Sequence, residues 1–425
     1  MLNIRELRFH AGNFLKNSML FLRWGLISLL IGVTVGGVST LLAFFLKHGT
    51  TFRKEYPQLI FFLPLAGVVI VFLYKFAKYE DKGTDTILST VHTEQPIPVR
   101  VAPLIFVATV LTHLFGGSAG RIGASLQLGG CLGQKWGRLL HLDKKDQRIM
   151  VMCGMSAAFS AIFGTPMAAS IFALEVISVG IMHYAALVPC VLSALVASQF
   201  AATLGIGPDT FQLVDVPPVL FIPGIKVVVL AFLCACVSVL YCVVLHSVKD
   251  IYGKYIKNTY IRIIFSSGLI ILLTVILQTD DYMGTGVDII TKAVEGEVDP
   301  FAFLLKIILT ALTLKAGFKG GEIGPALFIG ATFGCLFGHV AGISPSLCAA
   351  LGMMSLFCGV TNCPISAVLF SFELFGYEGV PYFLLAISIS YLMSGYYGLY
   401  DDQIIVYSKY KTEYINRKAG KSVQL

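Results

Sequence analysis

Five glycines recur in this chain at one fixed spacing. Gly120, Gly123, Gly129, Gly133 and Gly137 return as Gly321, Gly324, Gly330, Gly334 and Gly338, each 201 residues further on. A second block, Gly154, Phe159, Pro166, Phe172 and Glu175, returns 198 residues on as Gly352, Phe357, Pro364, Phe370 and Glu373. Glycine is 42 of 425 residues, so five matches at one offset are hard to reach by chance. The chain therefore reads as two homologous halves, the second three residues shorter between the two blocks. Internal repeats built from short, interrupted apolar segments point to a transporter-type fold, with its site near the membrane midplane where half-helix ends meet.

The apolar runs carry the membrane argument. They fall near 18–46, 58–76, 101–116, 122–136, 148–163, 166–205, 219–246, 261–278, 301–317, 323–341, 346–359, 364–375 and 380–397. The chain is 56% apolar and only 13% charged, against about half and about a quarter in soluble domains. That excess excludes a cytosolic enzyme, a disordered chain and a secreted disulfide scaffold, and leaves an all-α polytopic membrane protein. Several runs hold only about 12 to 17 residues, short of the about 20 a simple span needs. Such segments read as re-entrant or half-helices whose loose ends are buried in protein or line a watery cavity.

Charge then orders the pieces. The net charge of +7 is scattered over ends and loops, which is no nucleic-acid footprint. The N-terminal segment, Lys249–Arg262 and the stretch after Lys409 are basic and are placed in the cytoplasm; the acidic Asp280–Asp299 is placed outside. No cleavable signal is expected, because Arg5, Glu6, Arg8 and Lys16 precede the first apolar run with no short apolar core and cleavage site. The expected organisation is an amphipathic cytoplasmic helix over 1–17, a first transmembrane repeat over 18–205, a linker over 206–218, a second repeat over 219–408 and a short basic cytoplasmic tail over 409–425. The ten cysteines form no CxxC and sit near no histidine cluster, so they read as buried thiols, with no metal or disulfide expected.

Three Gly-rich strings each end where a helix can begin. They are Gly83-Thr84-Asp85-Thr86-Ile87, Gly117-Ser118-Ala119-Gly120-Arg121-Ile122-Gly123-Ala124 and Gly317-Phe318-Lys319-Gly320-Gly321-Glu322-Ile323-Gly324-Pro325. Free backbone N–H groups at a helix start attract anions, and glycine lets an ion come close. One such string is weak evidence, since membrane glycines mostly serve packing. Three, two of them repeat mates, read as an anion site lined by backbone amides.

At these residues the chain resembles the CLC chloride channel and exchanger family. Gly120-Arg121-Ile122-Gly123-Ala124 resembles its GREGP signature, Gly320 to Pro325 its GGxFxP motif, and Gly83 to Ile87 falls where the family has GSGIP. The strings THLFGGSAGR at 112–121, GFKGGE at 317–322 and GYYGLY at 395–400 are similar to the fluoride-exporting bacterial branch. The similarity runs from about residue 18 to 410. It implies the CLC fold of two inverted repeats of broken helices, a homodimer in the plasma membrane with one halide pathway per subunit, no cofactor, and both termini in the cytoplasm. It also implies that Thr84 and Tyr400 supply the two hydroxyls of the site. The amides of Glu322, Ile323 and Gly324 then cradle the central ion, and those of Arg121, Ile122 and Gly123 face the outer one.

Three departures from the family matter. One is Thr84-Asp85, where the fluoride branch usually has side chains other than threonine and where either residue reads also as a cap of its helix. The family's exchangers place a glutamate, gate and proton carrier, where this chain has Ile122, which binds no proton and carries no charge. The acid that relays protons from inside is replaced by Val176, as in the fluoride branch. Glu175 and its mate Glu373 read as buried structural acids bonded to backbone. Glu322 reads either as part of a coupling machinery, as in the fluoride branch, or as an acid favoured by the positive start of its helix. Arg121 is expected to bond nearby carbonyls, Asp85 to point away from the pathway, Lys319 to draw anions to a pore mouth or to snorkel, and His113 to make an interhelical hydrogen bond. The function expected is passive chloride or fluoride transport. The alternatives are a proton-coupled fluoride exporter working through Glu322 and, remotely, an intramembrane enzyme, for which the apolar segments offer no HExxH, no GxSxG and no paired aspartates.

Overall fold

The computed structural model of the chain describes residues 4–81, 83–93 and 96–419, with side chains from residue 12 onward. The first half contains α1 (Ile4–Glu55), a 3-10 turn at Pro57–Phe62, α2 (Leu63–Phe76), α3 (Asp85–Thr93), α4 (Val101–Leu114), α5 (Ile122–Leu139), α6 (Lys144–Phe163), α7 (Pro166–Glu175), strand β1 (Ser178–Val179) and α8 (Leu187–Thr203). The second contains α9 (Phe221–Tyr255), α10 (Thr259–Leu277), α11 (Val287–Val294), α12 (Ala302–Ala316), α13 (Ile323–Ala341), α14 (Pro345–Thr361), α15 (Pro364–Phe375) and α16 (Val380–Met393), followed by β2 (Ile404–Tyr407) and β3 (Tyr414–Lys418). Six helical stretches among the described residues are long and apolar enough to cross a bilayer. Large apolar side chains on their outer faces, such as Phe72, Phe232 and Leu272, stand exposed, as lipid contact requires.

Several expected boundaries move. The surface helix over 1–17 is not separate: α1 is one 52-residue helix running through that point into the first span. No proline interrupts it, and extending a formed helix is far easier than starting a new one. Residues 1–3 and 420–425 lie outside the described residues. The run 166–205 is two helices, because the chain after Glu175 turns into β1 and then bends at Gly180, whose φ is +90°. The basic tail carries a strand: β3 pairs antiparallel with β2, which pairs parallel with β1. Of the cysteines, Cys234 is buried and Cys236, two residues on, is exposed, as their opposite helix faces dictate.

The two halves meet as mates. Phe159 and Phe172 stand edge to face at 5.3 Å, and their repeat partners Phe357 and Phe370 do the same at 5.4 Å. The cross pairs close the ring, Phe172 with Phe357 at 5.7 Å and Phe159 with Phe370 at 5.6 Å. All four rings are fully buried. Beside them α7 and α15 exchange caps. The last residue of α7, Glu175, accepts the N–H groups of Ile365 (3.1 Å) and Ser366 (2.9 Å) at the start of α15, and the Ser366 hydroxyl as well. Glu373 accepts those of Met167 and Ala168, both at 2.8 Å, at the start of α7. Both helices begin with proline, and neither Thr165 nor Cys363 caps with its own side chain. Each half thus satisfies the orphan donors of the other, and the two acids are architectural.

A stability difference between the mates follows. Glu175 is buried, whereas Glu373 is half-exposed, so water can replace only the second carboxylate. Leaving buried donors without an acceptor costs about 1–3 kcal/mol each. Glu175→Ala is expected to lose about 3 kcal/mol and Glu373→Ala about half of that, read as the drop in thermal midpoint of the detergent-solubilised protein. Equal losses would contradict the account.

Candidate anion-binding site

The two principal helix starts meet through their glycines. The Gly120 N–H donates to Gly321 O (2.8 Å) and the Gly321 N–H to Gly120 O (2.7 Å), a two-residue antiparallel bridge between repeat mates. From it α5 leaves at Ile122 and α13 at Ile323, again mates, and both isoleucines are fully buried. Only glycine fits the crossing: a Cβ on Gly123 would lie 2.8 Å from Gly321 Cα, and one on Gly324 would lie 2.8 Å from Gly120 Cα. The first-turn N–H groups of a helix have no intrahelical partner. Here two sets of them face one small region from opposite halves, and both helix dipoles favour negative charge there.

The third string arrives at the same place. Thr84, buried just before α3, sets its Oγ1 3.1 Å from where a Gly123 Cβ would be, and the Glu322 N–H lies 3.7 Å from that point. Positions 84, 123 and 322 therefore converge. The Tyr400 ring is buried, and its hydroxyl has no hydrogen-bond partner among the described residues. It lies within electrostatic reach of Glu322, Asp85 and Tyr241. A buried phenol O–H left unpaired in this setting is a donor kept free.

The side chains flanking the bridge behave differently from the amides. Arg121 and Glu322 are mates and occupy the N-cap positions of α5 and α13, yet neither caps its helix. Arg121 does not bond carbonyls as expected. Its guanidinium pairs with Asp209 in the linker between the halves and lies 4.5 Å from the centre of the Phe163 ring. Glu322 is neither a free carboxylate nor a cap. Its Oε1 accepts from Lys315 Nζ at 2.7 Å, and Tyr241 donates to its backbone carbonyl at 2.9 Å. Sequence reasoning missed Lys315, Tyr241 and Asp209. Lys315 alone carried a signal, since a lysine in the last turn of an apolar helix, seven residues before an acid, can fold back on it.

On one side of the bridge opens a vestibule of about 990 Å³ that reaches Thr84, Gly320 and Glu322. Asp85 is not turned away from it. The residue lines the wall, with its Oδ1 accepting the Asp402 N–H at 3.1 Å. Lys319 also lines it, paired with Asp81 at 2.8 Å and lying over the Tyr74 ring. His113 makes its Nδ1 contact with Thr109 O at 2.8 Å, within its own helix rather than between helices. At the vestibule rim Asp401, next to Tyr400, is held by Lys249 at 2.7 Å and His246 at 3.0 Å. These partners hold the Asp401 carboxyl well below the usual range, the His246 hydrogen bond most of all.

Helix starts from two related halves, aimed at one partly dehydrated point beside a wide vestibule, define a membrane-embedded anion pathway. A family described as voltage gated chloride channel matches residues 65–395. A chloride/fluoride channel protein of Pseudomonas syringae pv. tomato is 32% identical over 91% of this chain and 88% of its own length. An H(+)/Cl(-) exchange transporter of Vibrio cholerae is 25% identical over 65% of this chain and 62% of its own length. Among solved structures, that of a CLC-type fluoride/proton antiporter superposes with a TM-score of 0.87 at 32% identity, covering 90% of this chain and 97% of that one. A slow cyanobacterial Cl-/H+ antiporter, at 18% identity and a TM-score of 0.76, shares the fold. The chain belongs to the voltage-gated chloride channel, or CLC, family, with its fold of two inverted repeats. It is a chloride or fluoride transport protein and not an enzyme.

Proposed function

We propose that this protein is a passive halide pathway, conducting chloride or fluoride without moving protons. The observation that carries this reading is Ile122: fully buried at the first residue of α5, it puts no ionisable group at that helix start. Acids elsewhere in the site have partners of their own, Asp85 accepting the Asp402 N–H. Glu175 caps α15, Asp209 is paired with Arg121, and Glu322 with Lys315. In the proposed pathway the halide is held by the amides of Arg121, Ile122 and Gly123 on one side and of Glu322, Ile323 and Gly324 on the other. The hydroxyls of Thr84 and Tyr400 complete its shell.

Sidedness is part of the proposal. Arg23 pairs with Asp146 near the start of α6, and α6 then carries the chain across to the linker side. α9 runs back from the linker to the basic stretch after Lys249, beside the vestibule. We infer that the N-terminal segment, Lys249–Arg262 and the stretch after Lys409 lie on one face, the cytoplasmic one by the charge bias. We place the protein in the plasma membrane as a homodimer with one pathway per subunit, on the strength of the family.

The test is flux from liposomes containing the reconstituted protein, with fluoride, chloride and pH electrodes read together. Dissipation of a halide gradient with no proton movement is expected. Uphill proton movement driven by a halide gradient overturns the passive reading. A second reading, proton-coupled fluoride export through Glu322, is favoured by the likeness to the fluoride/proton antiporter and by the position of Glu322 on the vestibule wall. Under it Glu322→Gln abolishes coupling.

A further inference from the structure

The geometry points to Lys315 as a positioning residue that neutralises Glu322, so that a halide and not a fixed carboxylate occupies the vestibule-side start of α13. The inference rests on the anion pathway proposed above and adds to it a group that the sequence did not single out.

The argument begins with a conflict. A carboxylate at the N-cap of α13 sits at the electropositive end that an entering anion must reach, and two negative charges cannot share it cheaply. A cap would bend the carboxylate onto its own first-turn amides and use up the donors. Glu322 makes no such bond. Its Oε1 is turned to Lys315 Nζ at 2.7 Å. The side chains of Lys315 and Glu322 are only 18% and 17% exposed, so water screens the pair poorly. The pair is held from both ends. Lys315 rises from the last turn of α12, where a cation suits the helix dipole, and Tyr241 on α9 fixes the Glu322 carbonyl. The amides stay free for a ligand and the Lys315–Glu322 pair beside them carries no net charge. On the linker side the mate Arg121 is paired with Asp209, so each helix start carries a neutralised pair.

Removing the lysine alone leaves a net negative charge at the mouth. Lys315→Met is expected to lower halide flux about tenfold or more at neutral pH, the size of effect that one unscreened charge at short range produces. The other titratable groups facing Glu322 are Asp85 on α3, Tyr241 and Cys242 on α9, and Tyr400, while His246 faces Lys315. The lost flux must therefore return in Lys315→Met/Glu322→Gln if it belongs to the Glu322 charge and not to one of these.

The experiment is fluoride and chloride efflux from liposomes holding the full chain, with a pH electrode, for Lys315→Met, Lys315→Arg, Glu322→Gln and the double variant. The inference expects Lys315→Arg to conduct like the unmodified chain, and the double variant to recover to the level of Glu322→Gln. It is overturned if the double variant stays as impaired as Lys315→Met, or if Lys315→Arg is equally impaired, since either marks lost packing rather than unbalanced charge. If Lys315→Met does not fold, Lys315→Gln in both backgrounds gives the same comparison. Proton coupling in the unmodified chain would overturn the passive reading and leave the rescue pattern to judge the ion pair independently.

Discussion

Replacing Ile122 with Glu is expected to shut the pathway at neutral pH, lowering chloride efflux from liposomes by more than about tenfold. The new carboxylate would stand at the first residue of α5, beside free amides and a helix dipole that favour negative charge. Tethered there, it competes with a diffusing halide at high effective concentration. Its sign of pH dependence is fixed. An ordinary glutamate titrates near about 4.3, so lowering the pH discharges the plug and raises the flux. Ile122→Gln, similar in size and uncharged, is expected to conduct with no such dependence. Efflux through Ile122→Glu equal to that of the unmodified chain, and flat with pH, would show that position 122 does not face the ion.

The second large effect is on the helix crossings. α5 packs on α6 and α13 on α14 with backbone against backbone. A Cβ on Gly154 would come closer than 3.0 Å to Gly129 O, and one on its mate Gly352 equally close to Gly330 O. Overpacking usually costs about 1–3 kcal/mol. Here the obstacle is main chain and cannot swing aside, so Gly154→Ala and Gly352→Ala are each expected to lose about 3 kcal/mol. Gly224→Ala in α9 and Gly268→Ala in α10, which meet nothing within 4 Å, are expected to be neutral or slightly stabilising, since alanine favours helix by about 0.5–1 kcal/mol. Thermal unfolding in detergent checks all four. Unchanged midpoints for the first two would refute the close crossing.

Much of this was readable before any coordinates. The offsets of 201 and 198 marked Gly120 and Gly321, the four phenylalanines and the paired acids as mates; that the glycines bridge and the rings pack together appears only in three dimensions. Helix starts at 323 and 364 followed from Gly and Pro placement. The exchange of caps did not follow: a repeat announces that Glu175 and Glu373 share a role, and only three dimensions reveal that each serves the opposite half. The partners of Arg121 and Glu322 were hidden for a like reason. Asp209 is 88 residues from Arg121, and nothing local joins them. The strand after Lys409 escaped because its short, charged sequence carries no alternating apolar pattern, and pairing with β2 alone makes it.

The exchanged carboxylates also set a timetable. Glu373 lies 206 residues after Met167, so the amides opening α7 rely on water until those further residues have been made. At about 5–20 residues per second, the carboxylate that displaces that water arrives roughly 10–40 s later. A polypeptide stopped before residue 373 leaves α7 without its carboxylate cap, so the loss reaches its earlier part as well as its later one.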